Sequence, residues 1–438
     1  MVDAPPYLIG AFLAVNAIPD AYFLIDAIEC MFSKARFIQG QHDVYSTLLN
    51  CSGENRILHT DVNVIRIASN FEHNIAEGLR VAAGEPGCGA VLCGAIPTCA
   101  IAGTDYERIV RDTAPQLGKP AFVLPASSLT KDWLGGYASV LNALAAGLDL
   151  SGPHPEPGNT AVVGYFMDRT EGEHRANIAE LKRMLRGIGL NPISVWLSNE
   201  PVESLREIRH ASSIISLPHG REAARILAQR LGIKLVEADM PFGLDACARW
   251  VEHVARELGR ADQAAAFIGR ELDTTAPRLE WAIPQAFLGR RFSFIGDPHY
   301  AESLAGLVEE VGGQMTFMRL LGASESLDAG TRHRLSARSG VSFDGGLPSS
   351  PAELKAFLRA HPTDLLITNS EVLDLLPLGQ PWIEWGYPSY YTHFFHDEPF
   401  LGFSGCGAFL SRMANAISKQ FAGPELPTRG APLDLPRP

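Results

Sequence analysis

Thiols, imidazoles and carboxylates are the groups whose placement in this chain invites chemistry. Seven cysteines occur in 438 residues, and Cys30, Cys51, Cys88, Cys93 and Cys99 all fall within the first hundred positions. That crowding favours a metal or redox role near the N-terminus over a disulfide scaffold. The central stretch is GCGAVLCGAIPTCAIAGTD, residues 87–105. Its apolar run, its break at Pro97 and the following TDYERIVRD predict a buried parallel strand, a loop carrying Thr98 and Cys99, and a helix. In open α/β sheets ligands bind outside the carboxyl ends of such strands. Cys99, just past the break, is therefore placed to hold something. Cys30 closes the apolar run FLIDAIEC in the same manner. Cys93 lies within the strand, where small apolar side chains face the core, and Cys51 sits beside Ser52-Gly53 in a polar loop. Cys88, Cys247 and Cys406 read as structural thiols, since free cysteine is a common core residue.

A second group lies far downstream. THFFHDEP contains His393, His396 and Asp397, a set suited to proton delivery because histidine titrates near neutral pH. A solvated loop is the plain alternative. Nearby aromatics, among them Trp382, Trp385, Tyr387 and Phe394, either wall a flat substrate pocket or pack a core. Asp61 and Asp105 offer an oxygen ligand or a proton, although helix capping is the simpler role for Asp105.

Other chemistries are excluded by what the chain lacks. It contains no Gly-x-x-x-x-Gly-Lys-Ser/Thr, no His-Glu-x-x-His and no Cys-x-x-Cys, so neither a P-loop nor a local zinc or thioredoxin motif is present. Gly402-Phe403-Ser404-Gly405-Cys406-Gly407 reverses the glycine order of a dinucleotide fingerprint. The C-x4-C-x5-C spacing matches neither ferredoxin pattern. A net charge of −12 argues against nucleic acid, and the apolar stretch 7–18 is too short to span a bilayer. A cytoplasmic location, with thiols reduced, is expected.

The elements that must position these groups alternate strand and helix, which predicts α/β domains with parallel, doubly wound sheets. The Pro- and Gly-dense SGPHPEPGN marks a linker. Three Rossmann-like units follow: 1–152 with the cysteines, 153–286 opening at NTAVVGYFMD, and 287–438 opening at FSFIGDPHY and ending in a Pro-rich tail. A long helical stretch is expected from Asp245 to about Glu271, and a strand over QPWIEWGYPSYY.

Taken together, FLIDAIEC, ILHTD, and IPTCAIAGTDYERI, whose Cys99 comes 69 positions after Cys30, resemble component 1 of nitrogenase and its relatives. Those relatives include the light-independent protochlorophyllide and chlorophyllide reductases and the cofactor-assembly scaffolds. AELKRMLRGIGLNP, FIGDPHYAESLAGLVEEVGG and GYPSYYTHFFHDEPFLGFSGCGAFL extend the likeness over residues 7–420. The resemblance implies an iron–sulfur cluster shared with a sister subunit in a heterodimer or heterotetramer, electrons from a separate ATP-hydrolysing reductase, and a small-molecule substrate between the domains. Cys30 and Cys99 are then the metal ligands, with Cys51 or Cys93 filling a gap. The family's usual first cysteine has no counterpart in PPYLIGAFLAV, which leaves a 4Fe-4S cluster rather than an eight-iron one. SSIISLPHGRE lacks the cysteine that ligates the iron–molybdenum cofactor in nitrogenase, with His219 the nearest donor, so reduction of dinitrogen is not expected. A non-catalytic scaffold and a cluster-less partner subunit are the alternatives the resemblance allows.

Overall fold

The structure is a computed structural model and describes residues 4–29, 31–49, 55–62, 72–152, 154–323, 327–338, 340–343 and 350–419. Cys30, Cys51 and the Pro-rich tail beyond residue 419 lie outside the described residues.

Short runs of apolar and β-branched residues form thirteen strands among the described residues, every pair of them parallel. The first sheet contains β1 (Ala21–Asp26), β2 (Ile57–His59), β3 (Ala90–Ala95) and β4 (Ala121–Val123), in the order β2-β1-β3-β4. The second contains β5 (Asn159–Val163), β6 (Asn191–Val195), β7 (Ser213–Ser216) and β8 (Lys234–Glu237), in the order β6-β5-β7-β8. In the third, β9 (Arg291–Gly296), β10 (Gln314–Leu320), β11 (Val341–Phe343), β12 (Leu365–Thr368) and β13 (Trp382–Glu384) run β11-β10-β9-β12-β13. The fold is therefore α/β, built on Rossmann-like parallel sheets. Helices cover the faces of these sheets, which is why β1, β3 and β5 are buried at every position.

In each sheet the strand order reverses beside the first strand of the unit: at β1/β3, β5/β7 and β9/β12. The carboxyl ends flanking such a reversal open a crevice where ligands bind. A continuous core from Phe12 and Trp133 through Trp196 and Phe242 to Phe292 and Phe403 joins the three sheets. The outer face of the first sheet has its own core, with Tyr22, Leu24, Leu79 and Cys93.

The apolar stretch near the N-terminus forms the helix Tyr7–Asn16, buried at all ten positions. It crosses the helix Trp133–Gly147 so closely that a Cβ at Gly10 would lie 1.7 Å from the Trp133 carbonyl oxygen, and one at Gly136 1.8 Å from that of Tyr7. No helix among the described residues is long and apolar enough to cross a membrane.

Three local expectations change. The helical stretch expected over 245–271 is two helices, Leu244–Glu257 and Ala261–Glu280, separated at Gly259, whose φ of +69° ends the first. Thr98 and Cys99 lie not in a loop but in the short helix Pro97–Ile101, which Pro97 can start because its missing N–H would be unpaired there anyway. QPWIEWGYPSYY forms a strand only over Trp382–Glu384. The buried Glu384 carboxylate then accepts hydrogen bonds from the N–H groups of Tyr390, Tyr391 and Thr392 (2.9, 3.0 and 2.6 Å) and from the Ser370 hydroxyl. Those backbone groups are folded around a carboxylate instead of pairing in a ladder.

Candidate functional site

At the carboxyl edge of the first sheet, β1 ends at Asp26 and β3 at Ala95, and these two residues are register partners. Cys99 follows Ala95 by four positions, as Cys30 follows Asp26. The Cys99 thiol is buried, and burial together with the Asp26 carboxyl pushes it up to about 12. Asp26 accepts hydrogen bonds from the Thr60 hydroxyl (2.6 Å) and the Tyr106 hydroxyl (2.6 Å). Asp105 caps the helix Tyr106–Leu117 by accepting from the Arg108 N–H at 2.9 Å. Asp61 adopts a φ of +53°, and its backbone N–H donates a hydrogen bond to His59 Nδ1 at 3.1 Å.

An iron–sulfur cluster can be tested against this edge. Cys99 is a protonated thiol in the chain alone, and a bound cation would reverse that by stabilising the thiolate. Its donor chemistry and its place at the sheet edge fit such a group. Cys93 is different: fully buried within β3 among Tyr22, Leu24 and Val91, it is pushed up to about 12 by burial. Cys88, also buried, is pushed up to about 11. Cys247 and Cys406 are buried thiols on helices.

A second feature lies where the sheets meet. Trp133 from the first unit, Phe166, Asp168, Glu173 and His174 after β5, Asp297 and Tyr300 after β9, and Trp385, Gly386 and Tyr387 after β13 line one cavity. Its open space is about 30 Å³, room for about two water molecules. Aromatic rings form most of the wall; Asp168, Glu173 and His174 enter from the segment after β5, the last two from the first turn of the helix Gly172–Gly187, and Asp297 enters from the end of β9.

The polar groups after β5 form an ordered relay. Asn177 Oδ1 accepts from the N–H groups of Phe400 and Leu401 (2.8 and 2.9 Å), so its amide nitrogen donates to the Tyr165 hydroxyl at 3.0 Å. Tyr165 then donates to His174 Nδ1 at 2.7 Å, which leaves the His174 proton on Nε2, 2.6 Å from Asp168 Oδ1. Burial would raise the Asp168 carboxyl, but His174, His42 and Arg169 together hold it well below the usual range. Burial drives the Tyr165 hydroxyl well above its usual value. On the other side, His42 Nδ1 accepts from the Ser389 N–H (3.0 Å), and Nε2 donates to the Asp168 carbonyl (3.0 Å). Desolvation lowers the His42 pKa. Glu173 bonds Arg169 through Oε1, while its buried Oε2 has no hydrogen-bond partner.

The downstream residues singled out from sequence have separate places. His393 Nδ1 lies 2.7 Å from the buried Glu171 Oε1, an anchor 222 positions away. Glu171 Oε2 also accepts from the Phe394 N–H. His396 and Asp397 are exposed; His396 pairs with Glu398, and Asp397 with Arg175. None of the three lines the cavity. Of the aromatics, Trp385 and Tyr387 do. Sequence reasoning passed over His42, Tyr165, Asp168 and His174. The available signal was the string DRTEGEH directly after the carboxyl end of β5.

Comparison with known proteins adds the following. The model of the family described as nitrogenase component 1 type oxidoreductase matches residues 7–418. The nitrogenase molybdenum–iron protein beta chain of Bradyrhizobium sp. (strain ANU 289) is 25% identical over 269 residues, 56% of this chain and 50% of its own. The nitrogenase iron–iron protein alpha chain of Rhodobacter capsulatus is 24% identical over 337 residues, 73% of this chain and 59% of its own. The chain thus spans about half the length of the curated relatives it matches. A solved structure of nitrogenase Cp1 at pH 6.5 superposes with a TM-score of 0.77 at 14% identity, covering 100% of this chain and 95% of that one. That last likeness is one of fold.

Proposed function

The chain belongs to the nitrogenase component 1 type oxidoreductases, and on that premise we propose that it is one subunit of a nitrogenase-like reductase. In this reading it pairs with a sister subunit, takes electrons from an ATP-hydrolysing partner through a 4Fe-4S cluster, and reduces a small molecule in the cavity between its sheets. Cys99 and Cys30 would hold the cluster, which when bound supplies one-electron transfer at low potential.

The observation that carries this reading is the convergence of residues following β5, β9 and β13 on one cavity with a directed chain of hydrogen bonds at its edge. Reduction of most small molecules consumes protons as well as electrons. His174 holds a proton on Nε2 against Asp168, with Tyr165 and Asn177 fixing the ring. Asp168, Glu173 and His174 all border the space a substrate would occupy. Trp133, Phe166, Trp385, Tyr387 and Phe400 give the space an apolar wall, and low-dielectric surroundings strengthen the electrostatic interactions there. The space takes a ligand of very few heavy atoms; a larger one needs the second and third units to move apart. Ser216, Leu217, Pro218 and His219 follow one another at the end of β7, where the resemblance gives nitrogenase a cofactor-ligating cysteine. The substrate we infer is therefore not dinitrogen.

The test is anaerobic purification with the co-expressed sister subunit, followed by iron counting and electron paramagnetic resonance with and without the reductase and ATP. The expected result is four irons per cluster, lost in Cys99→Ala, and an ATP-dependent change in cluster signal. An iron-free complex overturns the redox reading in favour of a cluster-less partner. Iron that never accepts electrons makes the chain a scaffold. His174→Gln should keep its iron and slow substrate reduction about 10²-fold or more.

A further inference from the structure

The structure assigns a second metal site, made of His219, Asp297 and His299, to one divalent first-row transition-metal ion. It uses no cysteine and does not depend on the cluster at the first sheet. His219 follows β7 and Asp297 follows β9, so the two strand ends that face each other across the second and third sheets supply the donors. One donor atom from each of the three residues lies within 4.8 Å of the other two.

Asp297 does two things. Its Oδ1 accepts from the His299 N–H at 2.9 Å, which seats the first turn of the helix Pro298–Glu310 and brings the His299 ring over. Its Oδ2 lies 2.7 Å from His219 Nε2. An ion bound at this point would take the place of the Nε2 proton, so that His219 Nε2 and Asp297 Oδ2 both face it. The ring's other nitrogen, Nδ1, makes no hydrogen bond in this 1% exposed side chain and is left to carry the ring's proton once Nε2 binds the ion.

The surroundings agree. Phe166 stacks on His219 with ring centroids 4.8 Å apart, and the His299 ring stands edge-on to it at 4.5 Å. Arg221, the nearby cation, is engaged by the Ser216 carbonyl and by Asp239. His299 also borders an open cleft whose walls include Pro218, Asp239, Glu302 and Asp328. The cleft gives an ion a route to His299. Two imidazoles with one carboxylate suit Zn(II), Fe(II), Co(II) or Ni(II), and disfavour Mg(II) and Ca(II), which prefer oxygen ligands.

Titrating the full-length, metal-stripped chain with Co(II) tests this directly. The expected result is one equivalent bound, with visible d–d bands and no thiolate-to-cobalt charge-transfer band. His299→Ala and His219→Asn should weaken binding at least about 100-fold, and Asp297→Asn about 10- to 100-fold. Zn(II) should raise the melting temperature of the wild-type chain in a concentration-dependent way. The same titration on His299→Ala, whose fold is checked by circular dichroism, should leave its melting temperature unchanged. A thiolate band, equal binding by the histidine variants, or full competition by Mg(II) would overturn the assignment. So would a wild-type chain whose melting temperature ignores zinc.

Discussion

Replacing Tyr165 with phenylalanine tests the relay beside the cavity with almost no change of shape. The hydroxyl accepts from the Asn177 amide at 3.0 Å and donates to His174 Nδ1 at 2.7 Å. Tyr165, His174 and Asn177 are all buried, so water does not reach either group left behind. Each orphaned polar group costs about 1–3 kcal/mol, so the loss is about 2–6 kcal/mol. At roughly 2 cal/mol/K of unfolding entropy per residue, a chain of this length melting as one unit loses about 2–6 °C. Differential scanning calorimetry of the full chain measures this. Tyr391→Phe, at a 65% exposed tyrosine, is the control and should stay within about 0.5 kcal/mol of wild type. A drop below about 1 °C in Tyr165→Phe would show that the hydroxyl orders neither neighbour, and the assigned His174 tautomer would fall with it.

Other outcomes follow from the same geometry. His42 has its pKa lowered by burial, so the unfolded chain takes up the proton first as pH falls. Its contribution to stability is therefore complete above the unfolded value of about 6.5 and is lost below it, by up to about 1.4 kcal/mol per pH unit. His42→Gln should flatten that part of a urea-denaturation series from pH 8 to pH 5. Gly10→Ala would drive a Cβ to within 1.7 Å of the Trp133 carbonyl oxygen and should cost about 3 kcal/mol in thermal melts. Gly407→Ala, in the last helix with nothing within 4 Å of the new Cβ, should gain about 0.5–1 kcal/mol instead. Glu384→Gln turns an amide towards the N–H groups of Tyr390, Tyr391 and Thr392. It should lower the melting temperature and loosen amide protection over 385–392 in hydrogen exchange, at a cost of about 3 kcal/mol.

Much of the architecture could be read from local pattern. A parallel strand covered on both faces needs an unbroken apolar run, and AYFLID and AVLCGA show that without any tertiary information. The strand–helix alternation then leaves few topologies, and the carboxyl ends become the places to look for chemistry. Cys99 and the capping role of Asp105 came from that logic. The relay did not, because nothing in the polar string DRTEGEH itself says that it will be buried. What buries Asp168 and His174 is the arrival of the third unit, with Tyr300, Trp385 and Phe400 packing against them.

Local sequence thus determined the α/β class, the strand ends and the position of Cys99 at one of them. Tertiary structure alone decided that the ends of β5, β7, β9 and β13 share one interior. It also paired His219 with Asp297 and anchored His393 on Glu171, 78 and 222 positions apart. The physical reason is range. Periodicity along the chain specifies which face of an element is apolar, but not which distant element will cover it. A histidine or carboxylate acquires its tautomer, its charge and its partner only when that cover is in place.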